Sequence, residues 1–326
     1  MKKKYQNGFF IFGLTVLVIM VSQLDFHQVW QGINRAGYWF LAVILLWVVL
    51  YIFNTSAWWI IIRSLSREKI SFWWLYKVTV SGFALNYATP GGMMGGEPYR
   101  VMSLAPKIGT EKASASVILY AMTHIFSHFW FWLLSVVLYL LTQQLSIPMT
   151  IMLLAITAFC TLAIWFFIKG YKKGIAVRCM NMLSHFPMIK KKAQHFIERH
   201  EEQLASIDQN IAVLHGQNRK TFVTAVVLEL ACRILSALEI YFILLVIMPS
   251  VNYIACILIL AFTSLFANML FFLPLQLGGR EGGFLMSAKG LAMTLDAGIF
   301  VALLVRLREL IWTAIGLLLI KFDKKQ

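Results

Sequence analysis

The sequence predicts an all-α integral membrane protein, and three observations carry that prediction. The chain of 326 residues is 60% hydrophobic and only 13% charged, with a mean hydropathy of +0.75. A soluble fold of this size has no interior large enough to hide so much apolar surface. Apolar runs recur along the whole length, most of them near the roughly 20 residues that a helix needs to cross a hydrocarbon core. The net charge of +15 sits in the loops beside those runs, which is the bias of cytoplasmic loops and not a nucleic-acid surface.

The runs fall at about 8–24, 38–62, 72–89, 113–141, 148–168, 221–248, 251–273 and 297–320. The first follows Lys2, Lys3 and Lys4 and lacks a convincing small-x-small cleavage site, so it reads as an uncleaved span. Arg63, Arg67 and Lys69 follow the second, and Arg100, Lys107 and Lys112 precede the fourth. Segment 169–220 holds ten Lys or Arg, and Lys321, Lys324 and Lys325 close the chain. Loops 142–147 and 249–252 carry no charge. With the basic loops inside, both termini are cytoplasmic and the membrane is the cell inner (plasma) membrane.

That assignment has a topological consequence. Loops 63–70 and 99–112 both belong inside, so 72–98 must enter the membrane and return. In mirror fashion, 251–296 must dip in from outside. Both dips turn at a Pro- and Gly-rich stretch, as a broken hairpin does. The expectation is a polytopic helical bundle with two Gly-rich re-entrant hairpins, with eight plain spans joined by two Gly-rich loops as the alternative, and one transmembrane domain over 1–326. Inverted repeats would cover about 38–141 and 221–320, as in many secondary transporters. The linker 169–220 carries Ile197, Leu204, Ile207, Ile211 and Leu214 at helical spacing. It reads as a cytoplasmic amphipathic helix.

Charges inside the spans are the functional signal. Glu229, Arg233 and Glu239 interrupt 221–248, and Arg306, Arg308 and Glu309 interrupt 297–320. Each costs at least about 2.5 kcal/mol at mid-membrane unless it faces a polar interior. Glu229 and Arg233 are four apart, and Arg306 and Glu309 three apart, so each pair shares a helix face. The two motifs, Pro90-Gly-Gly-Met-Met-Gly-Gly-Glu97 and Pro274-Leu-Gln-Leu-Gly-Gly-Arg-Glu281, add further polar groups. Backbone N–H groups of Gly91, Gly92, Gly95, Gly96, Gly278 and Gly279 could nest an anion such as a lipid phosphate. Arg100, Arg280 and Arg306 supply planar forks for phosphate oxygens. Glu97, Glu229, Glu281 and Glu309 could meet an amine or orient the arginines. Together these residues form the candidate substrate cavity.

His124 and His128 are four apart, but Ile125 breaks any zinc-protease pattern. With Thr123 and Ser127 they read as a polar seam, so no metal is expected. Asn86 and Asn268 precede the motifs and could satisfy unpaired backbone groups. Cys160, Cys179, Cys232 and Cys256 form no CxxC pair, so no disulfide framework is indicated. There is no Walker A loop and no GxSxG elbow, and no cofactor is expected.

The run Phe83-Ala-Leu-Asn86-Tyr-Ala-Thr-Pro90-Gly-Gly-Met-Met-Gly-Gly-Glu97-Pro-Tyr-Arg100 resembles the first signature of the lysylphosphatidylglycerol synthase transmembrane-region family. Leu273-Pro274-Leu-Gln-Leu-Gly278-Gly-Arg280-Glu281-Gly-Gly resembles its second, and Arg306 falls where the family has an Arg in its last span. The resemblance covers most of the chain. It implies a relative of the flippase halves of the multiple peptide resistance factors, which move aminoacylated phospholipids. Tyr120 and Ala121 stand where the family often has an acidic-Arg pair, so headgroup preference should differ. No aminoacyl-transferase sequence follows Gln326, so lysyl-lipid synthesis is not expected, and an enzymatic role is disfavoured. The expected function is a lipid translocase for a phospholipid or polyprenyl-phosphate headgroup. The alternatives are a polyprenyl-phosphate glycosyltransferase-like enzyme and a scaffold for a separate lipid synthase. Membrane lipids are the expected partners, with a homodimer and a separate lipid-modifying enzyme as further candidates.

Overall fold

The computed structural model describes residues 3–22, 25–89, 95–170, 219–269, 282–284, 286–287 and 294–322. Ten helices run through them in chain order. They are α1 (Lys3–Ser22), α2 (Phe26–Ala36), α3 (Tyr38–Leu65), α4 (Phe72–Ala88) and α5 (Gly96–Ile108). Then follow α6 (Thr110–Thr142), α7 (Ile147–Gly170), α8 (Arg219–Leu245), α9 (Tyr253–Met269) and α10 (Leu295–Lys321). No strand occurs among the described residues. The expected all-α membrane architecture is therefore present. By length and composition, Tyr5–Ser22, Tyr38–Leu65, Thr110–Thr142, Ile147–Trp165 and Lys220–Leu245 can each cross a membrane. α10 has the length, at 27 residues, but carries Arg306, Arg308 and Glu309 at its middle. The motif glycines Gly91 and Gly92, the second motif 274–281 and most of the linker 169–220 lie outside the described residues.

Side-chain contacts give the helix directions. Asn54 on α3 meets Cys232 on α8, and Trp47 meets Glu239. The lower α3 number takes the higher α8 number, so the two helices are antiparallel. Trp47 stacks near Arg308 and Tyr51 near Trp312, so α3 and α10 are parallel. His124 bonds Glu229 and His128 bonds Arg233, so α6 and α8 are parallel. Gln6 donates to the Ile320 carbonyl, and Gly13 lies against the Leu317 side chain. α1 is therefore antiparallel to α10, and their basic ends lie together. The contacts also have a symmetry: α3 packs on α4 as α8 packs on α9, and α4 meets α10 as α9 meets α6.

α4 and α5 form a close antiparallel pair. Gly95 sits against Leu85 and Thr89, Gly96 against Asn86 and Gly82, and Arg100 against Gly82. The Asn86 Oδ1 accepts the N–H of Gly96 at 2.7 Å, so Asn86 satisfies a backbone donor that α5 would otherwise leave unpaired at its start. That is the structural role expected of it. Asn268 instead donates to the Ser264 carbonyl of its own helix at 2.7 Å. On its other face α4 meets α10 closely, with Ser81 Oγ donating to the Gly316 carbonyl at 3.0 Å.

Two apolar clusters hold the bundle. One gathers Val43, Val136, Tyr139, Ile243, Leu258 and Val301. The other gathers Ile61, Leu75, Leu104, Ala115, Val226 and Leu317. On α3, α6, α8 and α10 these clusters take opposite halves of each helix, and the central turns between them are polar. Thirteen residues of helix span about 20 Å, so the polar layer lies deep from either end.

A polar cavity between two apolar layers

The central turns of α3, α6 and α8 and the start of α5 enclose a cavity of about 630 Å³, a volume typical of small-molecule sites. Its wall includes Glu97, Arg100, Glu229, Arg233, Glu239 and Arg308, with His124 and His128. Apolar wall comes from Leu50, Phe129, Phe159 and Leu260. The cavity is amphipathic, and among the described residues its six full charges are three of each sign.

On α8 the residues Glu229, Cys232, Arg233, Ser236 and Glu239 all line the cavity, because spacings of three and four return to one helix face. Glu229 and Arg233 share that face as expected, and both reach across to α6. The His124 Nδ1–H donates to Glu229 Oε2 at 2.8 Å. Arg233 donates from Nε to Ser127 Oγ at 2.8 Å, from Nη1 to His128 Nε2 at 2.8 Å and from Nη2 to the His124 carbonyl at 2.9 Å. His128 in turn donates from Nδ1 to the His124 carbonyl at 3.1 Å. These bonds fix His128 as the neutral Nδ1–H tautomer. All three acceptors of Arg233 are neutral, and its charge has no direct ion pair among the described residues.

Glu239 and Arg308 form a closed unit. Arg308 donates from Nε to Oε1 at 2.7 Å and from Nη2 to Oε2 at 2.9 Å. The Trp47 indole N–H adds a third bond to Oε2 at 3.1 Å, and the Arg308 guanidinium lies 3.9 Å from the Trp47 ring centroid. This two-pronged pair ties α8 to α10, with α3 closing over it. Arg308 also stands 3.7 Å from Glu309.

Arg100 is held differently. Its side chain is 2% exposed, and its guanidinium lies 4.7 Å from the Phe83 ring, 5.2 Å from Tyr120 and 5.7 Å from Trp58. One nitrogen, Nη1, donates to Glu97 Oε1 at 3.1 Å, and Asn86 Nδ2 donates to the same oxygen at 3.1 Å. Arg100 Nε and Nη2, Glu97 Oε2 and Glu229 Oε1 are buried with no hydrogen-bond partner among the described residues. An orphaned buried polar group costs about 1–3 kcal/mol, and more when charged. Four such atoms around one cavity mark a place where a polar guest would recover that cost.

Of the expected site residues, Glu97, Arg100, Glu229 and Arg233 line one cavity. Gly95 and Gly96 sit at the α4–α5 contact beside it. Arg306 and Glu309 are on α10 but do not line the cavity. Gly91, Gly92, Gly278, Gly279, Arg280 and Glu281 lie outside the described residues. Glu239 and Arg308, expected as charges that face a polar interior, join its wall, while Tyr120 and Trp47 are wall residues that sequence reasoning left out. The seam formed by His124 and His128 is the inner wall itself, signalled by Tyr120, His124, His128 and Trp132 at intervals of four. No cluster of three or more metal-ligating side chains occurs among the described residues.

Comparison with family models matches residues 8–316 to the family described as Lysylphosphatidylglycerol synthase TM region. No curated protein and no solved structure gives a match.

Proposed function

Because the chain belongs to the lysylphosphatidylglycerol synthase TM-region family, we propose that its central cavity carries lipid headgroups across the bilayer, making it a flippase-like translocase of the cell inner membrane. The observation that carries this reading is the set of orphaned, buried charged atoms of Glu97, Arg100 and Glu229 around one amphipathic cavity. A headgroup brings both the oxygens that Arg100 lacks and the donors that the glutamates lack. The acyl chains stay in the hydrocarbon, so only the headgroup needs shelter from it.

The pattern of helix contacts supports the same reading. Exchanging α3, α4 and α6 with α8, α9 and α10 preserves the pattern of helix contacts. α3 runs opposite to α8, and α6 opposite to α10 by the directions derived above. Both are properties of inverted repeats, with the cavity at their junction. In this reading α4 and α5 make a re-entrant hairpin, and cysteines placed at Glu68 and Lys112 will both label from the cytoplasmic side. Labelling from opposite sides would remove the hairpin.

The functional test is reconstitution of the purified chain into liposomes with labelled phospholipids and polyprenyl phosphates. Accelerated movement of at least one of them is the expected result. Arg100→Gln should slow it about tenfold or more, equivalent to losing roughly 1.4 kcal/mol of stabilisation at the headgroup. If no lipid in the panel moves faster than in empty liposomes, the translocase reading fails.

A further inference from the structure

The His124 and His128 rings lie 5.4 Å apart, nearly perpendicular, yet their nitrogens are used differently. Both nitrogens of His128 are occupied, one donating to the His124 carbonyl and the other accepting from Arg233. A second proton on His128 would break the Arg233 bond. His124 spends only Nδ1, on Glu229. Its side chain is 23% exposed and lines the cavity, and its Nε2 has no bond to any described residue. His124 therefore joins a carboxylate that is 1% exposed to the space where a headgroup would lie, with one lone pair still free.

The charges facing His124 set when that lone pair takes a proton. Glu229 on α8 favours the added charge directly. Arg233 on α8 opposes it, with its Nη2 on the His124 carbonyl. On α6, His128 and Tyr120 are neutral neighbours. From α4, Phe83 presents a ring and Asn86 an uncharged amide. On α5, Arg100 opposes and Glu97 offsets it within their own pair. Across α8 and α10, Glu239 and Arg308 cancel each other. Arg233, whose acceptors are all neutral, thus weighs against Glu229. A phosphate entering the cavity adds negative charge to one side of that balance.

We infer that the His124–Glu229 pair is a proton-binding site linked to headgroup binding, so that an anionic lipid phosphate occupies the cavity together with a proton held on His124 Nε2. The inference rests on the translocase reading. The proton comes from cavity water onto the Nε2 lone pair, while Nδ1–H stays on Glu229. It returns to water when the phosphate leaves. Because each of two linked ligands strengthens the other, a proton gradient drives anionic lipid in the same direction.

The test uses the full chain in liposomes, with short-chain fluorescent phosphatidylglycerol followed by albumin back-extraction and pyranine sealed inside to follow protons. Acidifying the side from which the lipid leaves should speed its movement about fivefold or more over symmetric pH, the lower end of ordinary coupling between sites. Pyranine should report proton movement with the lipid. The gain should vanish in His124→Gln, which keeps a donor for Glu229 but holds no extra proton, and should persist in His27→Gln, an exposed histidine of α2 that does not line the cavity. Fluorescent phosphatidylcholine, with no net charge, should show no gain in the wild-type protein, which keeps the test informative if the histidine variants do not reconstitute. Lipid movement with no gradient response, or an equal response for both lipids, overturns the proton link and leaves the translocase standing. No lipid movement at any pH removes the translocase reading itself.

Discussion

Glu239→Ala will destabilise the folded protein by about 3–5 kcal/mol, the usual cost of stripping one partner from a buried ion pair. Arg308 is 4% exposed and spends both Nε and Nη2 on Glu239. Without that carboxylate the guanidinium keeps only the Trp47 ring and a distant Glu309 oxygen at 3.7 Å. The Trp47 indole N–H loses its acceptor as well. Thermal unfolding in detergent with a thiol-reactive dye reads the effect, because Cys160, Cys232 and Cys256 are free and buried until the bundle opens. Replacing both charges, as Glu239→Met with Arg308→Met, should restore most of the loss, since the apolar pair leaves no orphan. A single variant as stable as the wild type would show that water already reaches the pair. The prediction separates this closed pair from the open groups. Glu97, Arg100 and Glu229 keep unbonded atoms, so their replacement should harm lipid movement more than stability.

That distinction shows what was legible in the sequence. The positions of the long apolar helices followed from hydropathy alone, since a span must satisfy its own backbone. The directions read from contacts agree with the charge-counted loops, because basic flanks and helix ends are local features. The presence of a charged interior was legible from Glu229, Arg233, Glu239, Arg306, Arg308 and Glu309, each too costly to face lipid. Which charges close on each other was not legible. Glu229 and Arg233 have the spacing of a helical ion pair but bond α6 instead. Arg308 finds Glu239 sixty-nine positions away. Arg306, two residues from Arg308, points elsewhere on α10. Pairing across helices depends on helix rotation, and spacing within one helix does not record it. The histidines were legible as a polar seam; their role as wall required α8 to be seen packed beside α6.

Gly96→Ala should abolish most lipid movement while the protein still inserts in the membrane. Alanine favours helix over glycine by up to about 1 kcal/mol, so any loss must come from contact. A Cβ at Gly96 would run into the Gly82 carbonyl oxygen, and would stand 2.7 Å from Asn86 Oδ1 and 2.8 Å from its Cγ. The first obstacle is the backbone of α4, which cannot rotate aside as a side chain can. α5 must therefore back away from α4, and overpacking of this kind costs about 1–3 kcal/mol. The retreat stretches the Gly96 N–H bond to Asn86 and the Asn86 bond to Glu97. It also shifts Arg100 within its slot over Gly82 and its ring of Phe83, Tyr120 and Trp58. The groups displaced are those proposed to meet the headgroup, so movement in liposomes should fall about tenfold or more, the equivalent of roughly 1.4 kcal/mol. Two comparisons isolate the cause. Gly8→Ala has nothing within 4 Å of the new Cβ and should behave as wild type. Gly82→Ala meets chiefly the Arg100 side chain, with Nε at 2.5 Å, and a flexible side chain can yield, so its loss should be intermediate. If Gly96→Ala matched Gly8→Ala in lipid movement, the α4–α5 contact would not be what positions Glu97 and Arg100. The headgroup site would then have to be sought elsewhere along the cavity.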